Sequence, residues 1–239
     1  MPSEHDGLRY EWVLAGLVAA AGRFVPLPFA HGVLRRRAER WAVRRTARAR
    51  GLDRHDLNPL WGGDLSTELT RALLQLPLRL LLFPIRRVAV ILSSAYGVPR
   101  DAVRPILLGR AVVVAIDDGH LAWGQPRAQR RARARALRVA FDHVYREMDF
   151  LVLRAALADM MANIPRLRVA VHERTLALLG RSRPSTGAGA DAGEVATEVA
   201  AKLGGRELSA LFAEFDRELR RALTWAELAA PAELSPAED

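Results

Sequence analysis

Apolar positions along this chain recur mostly three and four residues apart, the period of a helix face turned toward a core. Residues 10–23 place Leu14, Leu17, Val18 and Ala21 on one side and predict a first helix. Pro26 and Pro28 lack amide donors and push the residues before them out of the helical region, so that helix stops short of them. A second helix is predicted over residues 30–50. Its apolar stripe is narrow (Leu34, Ala38, Trp41, Ala42), and Gly51 stands where a C-terminal cap belongs.

Residues 52–63 read as a loop with one helical turn near 57–61. Asp64 or Ser66 is then placed to cap a helix whose apolar face begins at Leu69, Leu73 and Leu74. Pro77 and Pro84 kink this stretch before it ends at Gly97 and Pro99. Asp101 is the expected cap of a helix over 102–117, with Pro105 in its first turn, where a missing donor costs nothing. The run from Ala111 to Ile116 is also good strand material. The longest helical signal covers 126–163, with a seam of Leu137, Phe141, Val144, Met148, Leu151, Ala155 and Ala158. Leu153, Leu157, Met160, Met161 and Ile164 widen the apolar face near its end. Pro165 closes it, and a helix over 167–179 ends at Gly180.

Residues 181–193 have the composition of a flexible linker. Helices are predicted beyond it over 194–203 and 206–229, the second carrying Leu208, Phe212, Phe215, Leu219 and Ala222 at four-three spacing. The expected fold is all-α, an irregular multi-helix bundle with Pro-kinked amphipathic helices. Its expected parts are a main helical domain (1–180), a linker (181–193), an acidic C-terminal helical pair (194–230) and a frayed tail (231–239).

Composition narrows the class. The chain has 239 residues, half of them apolar and no cysteine, which removes disulfides, thiolate catalysis and thiolate metal sites. The N-terminal residues are acidic and polar and do not read as a secretory signal. All 36 basic residues are Arg except Lys202, a bias a GC-rich genome would produce. Such a bias does not explain where they fall. Residues 31–51 hold eight Arg and one Glu, and residues 127–138 hold six Arg and no acid. Together these blocks carry +13 in a chain of net charge +9, while residues 191–239 carry −6. A chain so polarised calls for an anionic partner or for docking between its own ends.

Known catalytic motifs are absent from the sequence: there is no phosphate-binding loop, no nucleophile elbow and no H-E-x-x-H. Asp117, Asp118 and His120 have ligand chemistry, but Asp-Asp-Gly is first of all a turn signal. His143 and Glu147 are four apart and share a helix face, the ordinary geometry of a surface pair. His172 and Glu173 point apart. The sequence therefore gives no catalytic residue, metal ligand or cofactor.

What remains is surface. Phe24, Leu27 and Phe29 form an apolar wedge beside Arg35, Arg36, Arg37, Arg40, Arg44 and Arg45, with Trp41 placed for an interface. Each basic side chain near an anionic bilayer is worth about 1 kcal/mol. No apolar run reaches the ~18–20 residues of a spanning helix. The expectation is peripheral binding to the inner face of a membrane from the cytoplasm. Alternatively, the same helix and a second patch of Arg127, Arg130, Arg131, Arg133, Arg135 and Arg138 would track the phosphates of nucleic acid. A third reading is a protein-interaction scaffold whose acidic C-terminal helices dock on the basic region. Its helix seams would also serve a protein partner or a homo-oligomer.

The Pro-Leu-Pro break and Arg-rich helix (25–45), with the Pro-interrupted amphipathic stretch through Ser93-Ser94-Ala95-Tyr96-Gly97 (83–118), resemble bacterial EcsC-type membrane-associated helical proteins of unassigned activity. The resemblance covers about a third of the chain. It implies membrane association and supplies no catalytic residues.

Overall fold

A computed structural model describes residues 4–22, 30–52, 54–61, 98, 100–180 and 189–229. The expectations for Phe24, Leu27 and Phe29, the kinked stretch across Pro77 and Pro84, residues 181–188 of the linker and the tail lie outside these residues. Among the described residues there are eight α-helices and no strand: α1 (Glu4–Ala21), α2 (Ala30–Ala49), α3 (Val103–Asp117), α4 (Arg127–Glu147), α5 (Leu151–Asn163), α6 (Pro165–Leu178), α7 (Gly189–Leu203) and α8 (Arg206–Ala229). Short 3-10 segments occupy Arg54–Trp61 and Arg100–Ala102. The fold is all-α, and the Ala111–Ile116 run is helical.

Helix α1 is the axis of the bundle. Every residue from Trp12 to Gly22 is buried, so the helix is covered on all sides instead of along one stripe. It packs against α2, α3, α6 and α7. Two glycines let the central helices approach: a Cβ at Gly16 would lie 2.2 Å from the Ala102 carbonyl oxygen, and one at Gly109 would lie 2.4 Å from Nε1 of Trp12. The Trp12 indole donates to Thr46 Oγ1 at 2.8 Å, and that hydroxyl donates to the Ala42 carbonyl at 2.9 Å. A buried polar group on each helix is thereby satisfied.

Helix α2 ends as expected at Gly51, in the left-handed region at φ 70°. The Leu52 amide donates to Ala47 O (2.8 Å) and the Gly51 amide to Arg48 O (3.0 Å), a Schellman closure. Asp101 does not cap α3. It faces His31 Nε2 at 3.2 Å instead, and α3 opens through a 3-10 turn without a side-chain cap.

The predicted long helix over 126–163 is two helices. At Met148 the backbone is extended, and the Asp149 carboxylate accepts the Leu151 amide at 3.1 Å, a local hydrogen bond that competes with helix continuation. Phe150 turns inward and stacks on Tyr145, with ring centroids 5.4 Å apart. Leu151 and Ala155, expected in the seam, are consequently exposed, while Leu153, Leu157, Met160, Met161 and Ile164 are buried.

Helix α7 begins at Gly189, inside the predicted linker. Val195, Val199 and Leu203 of α7, together with Leu208, Phe212, Phe215, Leu219 and Leu223 of α8, belong to the same connected core as α1–α6. Helix α8 lies along α4, where Phe215 meets Phe141 edge-on at 6.3 Å.

Candidate functional site

The arginines of α2 divide into two populations. Arg37 turns inward and donates to the Leu178 carbonyl at the end of α6. Burial and then the charge of Arg40 lower its pKa from the ordinary guanidinium value. Arg45 pairs with Glu11 of α1 at 3.0 Å. Glu11 is held above the usual carboxylate range by its burial, which the charges of Arg45 and Arg174 only partly offset. Arg35 and Arg40 are half-buried. Trp41 is half-buried too, with the Arg174 guanidinium 4.4 Å above its ring, so one face of the expected interfacial indole is covered by a cation of α6. Arg36, Arg44 and Arg48 are exposed.

The second block divides the same way. Arg133 donates to the carbonyls of Gly119 (3.2 Å) and His120 (3.1 Å), closing the turn after α3, and Arg130 donates to Gln125 O. Arg127, Arg131 and Arg135 are exposed and four residues apart.

Arg138 belongs to a closed ring of charge. Glu39, the one acid among the arginines of α2, is 2% exposed. Its carboxylate accepts from Arg104 Nε at 2.9 Å and from Arg138 Nη1 at 3.4 Å. Both guanidiniums also reach Asp142, Arg138 at 2.9 Å through Nε. Two carboxylates and two guanidiniums alternate, so the ring is neutral and ties α2, α3 and α4 together. Burial alone would lower the Arg104 pKa, but Glu39 and Asp142 outweigh it and hold it above its ordinary value.

Two of these inward arginines, and the exposed Arg100 outside the blocks, do the same job. The last carbonyls of a helix have no partner within it and carry partial negative charge. Arg37 serves the end of α6, Arg138 the Leu60 carbonyl of the first 3-10 segment, and Arg100 the carbonyls of Arg146 (3.1 Å) and Met148 (3.0 Å) at the end of α4. Charge counting does not separate such arginines from solvated ones. The lone glutamate inside an arginine block was the available signal, since a single acid there marks the face that turns inward.

Of the acid and histidine groups, Asp117, Asp118 and His120 pair with other elements. Asp117 binds Arg50 at 2.7 Å, Asp118 binds Arg220 at 2.7 Å, and His120 Nδ1 meets Glu227 at 2.8 Å around the positive-φ Gly119. Asp216 takes both Nε and Nη2 of Arg110 at 2.7 Å. Two acids of α8, Asp216 and Glu227, are thus met by α3 and the turn that follows it. Among the described residues no group of three His, Asp or Glu side chains is placed to hold a metal ion.

The reading from sequence picked Trp41 and passed over Trp123. In the structure Trp123 is 67% exposed, in the turn before α4. Its Nε1 donates to the Arg50 carbonyl at 3.3 Å and its ring lies over Gly51. An aromatic with one wet face therefore stands at the C-terminal end of α2, close in sequence to Arg127. Among the described residues no helix is long and apolar enough to cross a membrane. No protein family matches this chain, and neither does any curated protein or solved structure.

Proposed function

We propose that the protein binds peripherally to an anionic membrane surface, the inner leaflet, through its outward arginines and Trp123. The observation that carries this reading is the sorting of the two blocks. Once the inward arginines are set aside, the exposed ones fall at four-residue intervals: Arg44 and Arg48 on α2, with Arg36 two turns earlier, and Arg127, Arg131 and Arg135 on α4. Four residues of helix rise ~6 Å, so each row is a line of closely spaced cations. At about 1 kcal/mol for each cation near an anionic surface, six of them supply several kcal/mol before screening. Trp123 adds an indole whose amphipathic ring suits the headgroup level. The EcsC-like stretches imply the same kind of partner.

Sedimentation with vesicles tests it. Vesicles rich in anionic lipid should carry the protein down, neutral vesicles should not, and salt should weaken the binding. Equal partition into both, or into neither, would sink the reading. Binding to duplex or single-stranded nucleic acid with a steep salt slope and no lipid binding would replace it with a phosphate-tracking role.

A further inference from the structure

Between α4 and α8 the surface opens into a groove of about 630 Å³, within the size range of sites that enclose a large side chain or a small molecule. Val139, His143 and Glu147 line it from α4, each four residues from the next, and Glu218, Arg221 and Trp225 face them from α8. Trp225 is 71% exposed and Val139 is 60% exposed, so two large apolar side chains meet water at the same depression. Exposed apolar surface gathered in one concave place marks an interaction site.

The charges of the lining identify the occupant. Glu147 and Glu218 are matched by Arg146 and Arg221, two of each sign, on a protein whose net charge is +9. Two copies of a molecule with this net charge repel on average, and a charge-balanced patch with an apolar centre is a place where they can meet. A twofold contact also requires one patch to complement itself, which balanced charges and a knob beside a hole provide. Glu147 has no hydrogen-bonding or ion-pair partner for its side chain among the described residues. Arg221 is held by Glu218 from one turn earlier on its own helix, at 3.0 Å.

We infer that this groove is the contact of a twofold homodimer in which Trp225 of each copy enters the groove of the other. Glu147 then meets Arg221 of the second copy. The two indoles alone remove roughly 300–500 Å² from water. This inference does not depend on the membrane reading, and its test uses no lipid.

Sedimentation equilibrium of the full chain from low to high micromolar concentration should show a reversible monomer–dimer exchange. Trp225→Ala, at a position too exposed to matter for folding, should weaken the dimer by roughly thirtyfold, the effect of losing a central aromatic. Glu147→Arg and Arg221→Glu should each weaken it, and the double exchange should restore it. A monomer at every concentration would overturn the inference, as would a dimer indifferent to Trp225→Ala and Val139→Glu. A monomer that takes up a hydrophobic dye in a Trp225-dependent way would assign the groove to a small ligand instead and would also overturn it.

Discussion

Gly109 lies against the indole of Trp12 so closely that a Cβ there would stand 2.4 Å from Nε1. The same nitrogen donates to Thr46, so the ring cannot slide away without breaking a buried hydrogen bond between α1 and α2. Three helices are fixed at one point. Gly109→Ala should therefore cost about 1–3 kcal/mol through overpacking, seen as a lower urea midpoint. Among the described residues nothing lies within 4 Å of a would-be Cβ on the helical Gly32, and Gly32→Ala should gain about 0.5–1 kcal/mol. Equal effects at the two sites would show that helix propensity and not close approach governs both.

The ring of Glu39, Arg104, Asp142 and Arg138 makes a sharper separation among the arginines. Removing Glu39 leaves two guanidiniums half-buried and short of an acceptor, and breaking a buried pair from one side costs about 3–5 kcal/mol. Glu39→Ala should show that loss in chemical denaturation, with Arg138→Ala not far behind. Arg131→Ala, seven residues before Arg138 on the same helix but exposed, should stay within about 0.5 kcal/mol of the parent. In lipid binding the order should reverse, Arg131→Ala losing affinity and keeping its stability.

Helices were legible in the sequence wherever apolar spacing and stop signals agreed. The Gly51 closure, the end at Gly180 and the whole of α8 follow from such local rules. The break at Met148 was not legible, because Asp149 and Phe150 suit a helix as well as a turn, and burial of Phe150 on Tyr145 is a tertiary choice. The burial of α1 on every side from Trp12 onward also escaped a one-face reading. The arginine blocks escaped it for a further reason. Whether a guanidinium meets water or a helix-terminal carbonyl depends on which helix end lies opposite, and Arg37 and Leu178 are far apart in the chain.

Tyr145 offers a test by pH. Burial, helped by Asp101 and opposed by Arg104 and Arg100, pushes its hydroxyl up to about 12 from the ordinary 10. The native state then holds the proton more tightly than the unfolded chain. Its contribution is intact below pH 10 and is lost as pH climbs toward 12, a fall of about 3 kcal/mol over that interval. Tyr145→Phe gives up the hydroxyl bond to the Arg100 carbonyl, 2.7 Å long and worth about 1 kcal/mol near neutrality. It should nevertheless lose less stability than the parent between pH 9 and 11 by urea denaturation. A residual slope should persist, because burial and Glu11 also raise the Tyr10 pKa. Parallel pH curves for parent and variant would contradict the burial argument.

The two tryptophans near α2 distinguish a structural aromatic from an interfacial one. Trp41 carries the Arg174 guanidinium on its ring, so Trp41→Ala should lower stability by about 1–2 kcal/mol and leave vesicle partition nearly unchanged. Trp123 lies over Gly51 with most of its ring in water, so Trp123→Ala should fold normally. Burying part of that ring in the headgroup region removes ~50 Å² of apolar surface from water, which corresponds to about tenfold in partition. The measurement is the partition coefficient on anionic vesicles beside the urea midpoint for each variant. Loss of affinity in Trp41→Ala with none in Trp123→Ala would mean that the side of α2 facing α6 meets the lipid. Helix α6 would then have to move first, because Arg174 now occupies the place the bilayer would take.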